Sequence, residues 1–202
     1  MRASASPAST ASAHATTIVE TVHLDLASQA SVRQAARDIA AITTRIDVLI
    51  NNAGINVHRR QLSPDGIELT FATNHLGPFL LTQLLLPLLL DAAGSGPTGA
   101  TRVVNVSSGG HHISPMRFSD YNFEGKPLPP DEEPRRGLPD WVHETDDGFP
   151  GTLAYGMSKC ANILFTVALK ERLQQRGIDS FAVDPGGRSL PLCVPGACST
   201  VD

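Results

Sequence analysis

The sequence has few cysteines, few aromatic side chains and no excess of basic charge. Its three cysteines, Cys160, Cys193 and Cys198, follow no secretory signal and lack the CxxC or histidine spacing of a zinc site. Sixteen basic residues stand against twenty acidic ones, and no Lys/Arg cluster offers a surface for a polyanion. These absences argue against a disulfide scaffold and a nucleic-acid partner, and we expect a cytoplasmic protein with reduced thiols.

An uninterrupted apolar run of membrane-spanning length is also missing. The longest run, FLLTQLLLPLLL at 79–90, is shorter than the roughly 20 residues that cross a bilayer. We therefore expect a buried helix and no transmembrane segment. Pro78 and Pro87 each remove an N–H donor, so a kink is expected at any proline outside the first turn of this helix.

Three regions of different composition divide the chain. Residues 1–17 are almost all Ala, Ser, Thr and Pro, which bury too little apolar surface to offset the entropy of ordering. We expect a disordered N-terminus there, with a transit peptide as the alternative. A partial Rossmann-like domain is expected over 18–189, and an irregular tail over 190–202.

Within 18–189, strand patterns alternate with helix patterns. The predicted strands are IVETVHLDL (18–26), IDVLINNAG (46–54, expected to be buried), RVVNVSS (102–108) and IDSFAVDPGG (178–187). The predicted helices are 28–43, opened by Ser28 or Ser31, one near 65–90, and one over about 152–176, closed by Gly177. Strands joined by helices of crossover length predict an α/β fold, a doubly wound parallel sheet covered on both faces.

The segment 114–151 is rich in prolines and charges and does not fit a core element. A loop of this length inside a compact domain is usually functional or disordered. Its position before the 152–176 helix indicates a lid-like insertion on the substrate side, with Trp141 and Phe149 as anchors. A mobile surface insertion is the equal alternative.

Tyr155 and Lys159 share one face of the 152–176 helix, because side chains at i and i+4 lie one above the other. A phenol has a pKa of about 10, and an ammonium within about 4–6 Å favours its ionised form, which suits Tyr155 to proton transfer near neutral pH. The pair alone indicates little, because a half-buried tyrosine beside a solvated lysine is common on helices.

Three further motifs end predicted strands: NNAG (51–54), VNVSS (104–108) and DPGG (184–187). The carboxyl ends of parallel strands meet at one edge of a sheet, and the crevice beyond that edge is where open α/β sheets bind ligands. We therefore expect these motifs and the Tyr155/Lys159 helix to converge on one pocket.

Together these pieces resemble the short-chain dehydrogenase/reductase family, and within it the retinol-dehydrogenase-like members of fungi and plants. The resemblance runs from about 22 to 189 and rests on HLDLAS, SVR, IDVLINNAGI, TNHLGPFLLT, RVVNVSSGGHH, FEGKP, AYGMSKCANILF and DPG, in the family's order. It implies a Rossmann-like fold and hydride transfer between NAD or NADP and a small carbonyl or alcohol substrate.

The resemblance also implies catalytic roles. Tyr155 would be the proton donor or acceptor, and Lys159 would lower its pKa while bonding the nicotinamide ribose. Ser108 would hold the substrate oxygen, and Asn74 would support a water-linked proton relay.

Cofactor contacts are implied in the same way. Asp25 and Leu26 would line the adenine pocket, and Ser189 would bond the carboxamide. A metal at His111 and His112 is not expected, because adjacent side chains rarely face the same way and no third ligand has a recognised spacing. The full set of implied cofactor-binding positions is Asp25, Leu26, Asn52, Ala53, Gly54, Tyr155, Lys159, Pro185, Gly186 and Ser189.

Taken singly, the residues leave ordinary alternatives open. Ser108 is suited to end a strand or cap a helix, and Asn74 is suited to be a solvated or capping residue of a helix. Asp25 is suited to cap the following helix. The stretch 52–54 is suited to a plain turn, although glycine there also allows the close approach of a cofactor.

The sequence departs from the family's pattern at both ends. No TGxxxGxG turn is present and no glycine precedes Ile18, so we expect the first strand, the first helix and the second strand to be missing. The edge of the IDVLI strand should then be exposed. The stretch LPLCVPGACSTVD (190–202) does not suit the family's substrate-binding helices.

Two functions follow from these observations. The first is an NAD(P)-dependent oxidoreductase, shortened relative to its family and therefore a weak binder of its cofactor. The second is a non-catalytic partner that pairs with a full-length relative through the Tyr155/Lys159 helix and the apolar 79–90 helix, because exposed apolar faces and an open strand edge favour association, with a homo-oligomer also possible. A hydrolase built on Ser108 and His111 is disfavoured because no GxSxG elbow is present.

Overall fold

The structure is a computed structural model that describes residues 17–143, 145 and 147–186. The expectations for residues 1–16, for Ser189 and for the tail 190–202 lie outside the described residues. The elements in chain order are α1 (Gln29–Ile42), β1 (Val48–Asn51), α2 (Leu69–Phe71), a π-helical segment (Ala72–Leu76), α3 (Gly77–Ser95), β2 (Thr101–Val106), 3₁₀ turns at Gly109–His112 and Asp140–Val142, α4 (Gly151–Leu173), a 3₁₀ turn at Gln174–Arg176 and β3 (Ile178–Val183).

The three strands form one parallel sheet in the order β1-β2-β3. All three carboxyl ends therefore lie at the same edge, as expected from the motifs that follow them. In the described sheet β1 is an edge strand, which also agrees with the sequence analysis. It is not a buried strand, however, because Val48 and Ile50 are exposed.

Helices cover one face of the sheet only, within the part of the chain that the structure describes. Leu49, Val103 and Ile178 face α3 and α4 across an apolar cluster. The prediction of two covered faces was therefore wrong for the described residues. Right-handed crossovers explain this result, because two successive steps in the same direction, β1 to β2 and β2 to β3, place both connecting helices on the same side.

The opposite face leaves apolar side chains exposed. In a parallel register, paired residues project to the same side, so Ile50, Val104 and Phe181 form one row across the three strands. Ile50 and Phe181 are exposed, as are Val48 and Val183 on the same face. This set of four exposed residues is called the open sheet face below.

Helix α1 begins where the sequence analysis placed it. The Ser28 side chain caps the helix by accepting a hydrogen bond from the Ser31 N–H at 3.3 Å. Val32 and Ala36 are buried against Leu81 and Leu85 of α3. The spacing of these residues, rather than any charge pair, fixes the packing of α1.

The strand predicted at 18–26 is wrong, because these residues form no regular element. Its alternating pattern is suited to a strand, but a strand also needs a neighbour for its N–H and C=O groups, and no described strand pairs with it. Leu24 and Leu26 pack instead against the α1–α3 cluster.

Helix α3 passes through Pro87 without interruption, whereas Pro78 lies in its first turn. Pro87 therefore does not end the helix, and Leu85 and Leu89 on either side of it are buried. By length and composition alone, the continuous helical stretch Leu69–Ser95 would be long enough to cross a membrane. Its buried leucines contact α1 and the sheet, as in the core helix of a globular domain.

The segment 114–151 is held by buried contacts. Arg117 and Asp120 form an ion pair at 2.9 Å with both side chains largely buried, and the guanidinium lies 4.1 Å from the ring centroid of Phe123. The Asp120 carboxylate also accepts hydrogen bonds from the N–H groups of Glu124 and Gly125. These contacts argue against the mobile alternative.

The structure supports one of the two anchors that were predicted for the segment 114–151. Phe149 is buried and packs edge-to-face with Phe123. Trp141 is 56% exposed, so its role as an anchor was predicted wrongly, and its neighbour Val142 is buried instead. In the 3₁₀ turn the two adjacent side chains point in different directions, so size alone did not identify the buried one.

Candidate active site

The site is built around the first two turns of α4. A Cβ on Gly156 would lie 2.7 Å from the carbonyl oxygen of Gly110, closer than real Cβ contacts allow. Glycine at this position therefore lets α4 approach the Gly109–His112 turn that follows β2. This close approach brings Tyr155 alongside Ser108.

Tyr155 and Ser108 both border Gly110. A Cβ on Gly110 would lie 3.2 Å from Cε1 of Tyr155 and 3.6 Å from Oγ of Ser108. The Ser108 hydroxyl accepts a hydrogen bond from the Gly110 N–H at 3.2 Å, which holds the oxygen at the start of the turn. Ser108 thus lies two residues beyond the end of β2 and caps this turn, and its oxygen also lies near the ring of Tyr155.

Lys159 lies one turn after Tyr155 and is only 4% exposed. Its Nζ donates a hydrogen bond to the carbonyl oxygen of Val106 at 3.0 Å and lies 5.4 Å from the ring centroid of Tyr155. Burial penalises the charged form and lowers the pKa of Lys159 to about 8. A proton can therefore leave and return to this amine near neutral pH.

Asn74 is buried in the π-helical segment, so the solvated alternative for it does not hold. Its Oδ1 accepts from the Ile55 N–H at 2.7 Å, and its Nδ2 donates to the Ile55 carbonyl at 2.9 Å and to Ser158 Oγ at 3.0 Å. A Cβ on Gly54 would lie 3.2 Å from Asn74 Oδ1 and 3.4 Å from Lys159 Nζ. Gly54, in the turn after β1, therefore lies next to both the Asn74 amide and the Lys159 amine.

The predicted adenine-side residues lie before α1. The Asp25 carboxylate accepts a hydrogen bond from the Ala27 N–H at 2.9 Å, whereas Ser28 provides the helix cap, so the capping alternative for Asp25 was wrong. A Cβ on Gly77 would lie 2.3 Å from the Leu26 carbonyl oxygen. Leu26 thus lies against the start of α3, one turn beyond Asn74.

The remaining cofactor positions are exposed or outside the described residues. Asn52 and Ala53 are exposed beyond β1, and Pro185 and Gly186 are exposed beyond β3. Gly186 has a φ of 76°, a conformation that favours glycine. The structure therefore brings Gly54, Asn74, Tyr155 and Lys159 into one neighbourhood with Ser108 and leaves these residues at its rim.

Sequence reasoning missed a buried polar network beneath the site. Asn51 Nδ2 donates to Asn105 Oδ1 at 2.8 Å, and Asn105 Nδ2 donates to Thr166 Oγ1 at 2.9 Å. Ser107 Oγ donates to the Lys159 carbonyl at 3.0 Å. A usable signal was the spacing of polar residues on α4: Tyr155, Lys159, Asn162 and Thr166.

Within the described residues, no group of three or more metal-ligating side chains is present. The rings of His111 and His112 are 3.8 Å apart between centroids, so the argument that adjacent side chains point apart does not hold for this pair. The Nδ1 of His111 lies 2.7 Å from the Ser108 carbonyl oxygen. This contact ties the pair to the turn.

Sequence comparison gives consistent matches. The family model described as short chain dehydrogenase matches residues 2–122. "Oxidoreductase fscI" of Fusarium equiseti is 38% identical over 188 residues, which cover 89% of this chain and 70% of that protein. "Retinol dehydrogenase 11" of Mus musculus is 37% identical over 163 residues, which cover 81% of this chain and 43% of that protein.

Solved structures give the same result. A crystal structure of a Mycobacterium Paratuberculosis protein is similar with a TM-score of 0.57 and 34% identity, over 81% of this chain and 49% of that one. The "RhlG/NADP active-site complex" of Pseudomonas aeruginosa has a TM-score of 0.53 and 27% identity, over 81% of this chain and 51% of that one. The chain thus spans about half the length of these structures.

Proposed function

The chain belongs to the short-chain dehydrogenase family, and we propose that it carries the site for NAD(P)-dependent interconversion of a carbonyl and an alcohol. The observation that carries this proposal is the shared border at Gly110, where the Tyr155 ring and the Ser108 hydroxyl face the same space. Lys159 lies beneath the phenol, at 5.4 Å from the ring centroid. A substrate oxygen between phenol and serine would contact both hydroxyl groups.

The proposed proton chemistry follows from these positions. In the direction of reduction, the Tyr155 hydroxyl gives its proton to the substrate oxygen while Ser108 donates a hydrogen bond to the same oxygen. The Lys159 ammonium stabilises the phenolate that Tyr155 leaves behind. Because the pKa of Lys159 is about 8, the ammonium is the main form at pH 7 and loses its proton as the pH rises above 8.

The nicotinamide end of a cofactor fits the residues present. Gly54 lets the turn after β1 lie close to Asn74 Oδ1 and Lys159 Nζ, because a Cβ there would lie 3.2 Å and 3.4 Å from these atoms, so the backbone of this turn and the amine border one space. Lys159 and Tyr155 would hold the nicotinamide ribose, and the cofactor supplies the hydride when bound. The TGxxxGxG turn that holds the pyrophosphate in the family is not in this sequence, so we expect weak binding.

The experiment is a titration of the purified chain with NADPH and with NADH, followed by turnover with retinaldehyde and short aldehydes. Retinaldehyde is included because relatives carry the name retinol dehydrogenase. The proposal expects binding in the micromolar to millimolar range, and turnover that is lost in Tyr155→Phe and strongly reduced in Ser108→Ala. Turnover that persists in Tyr155→Phe, or no cofactor binding at millimolar concentration, contradicts it.

A second candidate function rests on the open sheet face. Val48, Ile50, Phe181 and Val183 are exposed on one side of the sheet, and the outer edge of β1 is unpaired among the described strands. Such a surface favours a non-catalytic partner of a longer relative. Complex formation with a full-length family member, without cofactor binding by this chain alone, supports this function over the enzyme.

A further inference from the structure

Asn162 shares a hydrogen-bond acceptor with Lys159. It lies three residues after Lys159 on α4 and is 4% exposed. Its Nδ2 donates to the Val106 carbonyl oxygen at 3.2 Å, the same oxygen to which Lys159 Nζ donates at 3.0 Å. A carbonyl oxygen has two lone pairs, so these two donors together satisfy it.

His75 fixes the orientation of the Asn162 amide. Its Nδ1 lies 3.1 Å from Asn162 Oδ1, which can only accept, so Nδ1 carries the proton and donates. The imidazole stacks on Phe71 at 5.3 Å and meets the edge of Phe165 at 6.0 Å between centroids. Burial lowers the pKa of His75, so the ring stays neutral near pH 7 and keeps this contact. The amide nitrogen therefore faces Val106.

We propose that Asn162, oriented by His75, is a positioning residue that holds the Val106 carbonyl and so fixes the place of the Lys159 amine. An amide donor fills one lone pair of the carbonyl without adding charge. Lys159 is then left with the other lone pair and stays directed at the space below Tyr155. The inference rests on the proposed function, because that function gives the position of Lys159 its importance.

The electrostatic surroundings of Lys159 make this positioning measurable. The titratable groups on α4 besides Lys159 are Tyr155, Cys160, Lys170, Glu171 and Arg172. Those on the elements packed against α4 are His75, Arg102, His111, His112, Arg176 and Asp179. Burial, and none of these charges, lowers the pKa of Lys159. A change at Asn162 that admits water, or that adds a negative charge, should therefore raise the pKa of Lys159.

The test measures the pKa of Lys159 directly, by competitive labelling with acetic anhydride across pH 6–11 and mass spectrometry of the Lys159 peptide. In the unchanged chain labelling should follow a pKa of about 8. Asn162→Ala should raise it by about one unit and reduce labelling at pH 8 roughly fivefold, because water enters the space left by the amide. Asn162→Asp should raise it further, by about 1–3 units, because a carboxylate favours the ammonium.

Two controls separate positioning from general packing. His75→Ala frees the Asn162 amide to rotate and should reproduce part of the pKa shift seen in Asn162→Ala. His75→Gln can still donate to Asn162 Oδ1 and should keep the pKa of Lys159 at its value in the unchanged chain. Thr166→Val, one turn further along α4, removes the hydrogen bond that Thr166 donates to the Asn162 carbonyl and the one that it accepts from Asn105, but it leaves the amide contact of Asn162 with Val106. It should leave the labelling pKa unchanged.

An unchanged pKa in Asn162→Ala and Asn162→Asp, or an equal shift in Thr166→Val, overturns the inference. If Asn162→Ala does not fold by circular dichroism, the comparison of His75→Ala with His75→Gln decides. Labelling requires no turnover. A chain without enzymatic activity would therefore contradict the proposed function while leaving the result on Asn162 intact.

Discussion

Gly156→Ala tests whether the close approach of α4 to the Gly109–His112 turn assembles the site. In a helix, alanine is more favourable than glycine by about 1 kcal/mol. The added Cβ would lie 2.7 Å from the Gly110 carbonyl oxygen, so the turn or the helix must shift by several tenths of an ångström. Overpacking of this kind costs about 1–3 kcal/mol. The net change expected is therefore between zero and about 2 kcal/mol of destabilisation.

The matched control is Gly94→Ala in α3, where a Cβ would meet nothing within 4 Å. This variant should be stabilised by at most about 1 kcal/mol through helix propensity alone. Urea unfolding should then place Gly156→Ala about 1–3 kcal/mol below Gly94→Ala. Turnover should fall at least tenfold in Gly156→Ala and stay unchanged in Gly94→Ala, because misplacement by about 1 Å can reduce a rate by about a hundredfold.

The reasoning is refuted if Gly156→Ala matches Gly94→Ala in unfolding free energy and also keeps full turnover. In that case the separation between the Tyr155 ring and Ser108 does not depend on the contact at Gly110. A loss of stability without a loss of turnover would keep the packing argument and remove its link to the site.

Three further predictions concern other parts of the molecule. The pKa of Lys159 is about 8 in the folded chain and 10.5 in the ordinary, unfolded case. Between pH 8 and pH 10.5 the unfolded chain therefore still holds a proton that the folded chain has released. The free energy of unfolding should then rise with pH across this window, by about 3 kcal/mol at most. Urea unfolding at pH 7 and pH 10.5 checks this, and Lys159→Met should remove the rise. Arg117→Met leaves Asp120 buried without its partner and should cost about 3–5 kcal/mol, whereas Lys126→Met at an exposed ion pair should leave the unfolding midpoint unchanged. Phe181→Ser on the open sheet face should reduce binding of the dye ANS without lowering the unfolding midpoint. A loss of stability as large as that caused by removing a buried phenylalanine side chain would show that this face is covered.

The sequence predicted the parallel sheet, the three motifs at its carboxyl edge and the helix that carries Tyr155, because each of these depends on local periodicity and on the handedness of crossovers. It failed at 18–26, where the local pattern was right for a strand but pairing depends on a neighbour elsewhere in the chain. It failed at Trp141 because the choice between adjacent side chains in a turn is made by the surrounding packing. His75 and Asn162 were missed because their partnership joins residues 87 positions apart.

The placement of the site explains how the proposed chemistry and the proposed weak cofactor binding can hold together. Asn74 belongs to the π-helical segment before α3, Ser108 follows β2 and caps the Gly109–His112 turn, and Tyr155 and Lys159 belong to α4. All of these elements pack on the covered side of the sheet or end at its carboxyl edge, and the polar network through Asn105 runs beneath them on that side. None of the described contacts that hold these four side chains involves the open sheet face. The arrangement of these four side chains therefore does not depend on what covers that face, whereas the proposal of weak cofactor binding rests on a phosphate-binding turn that is not in this sequence.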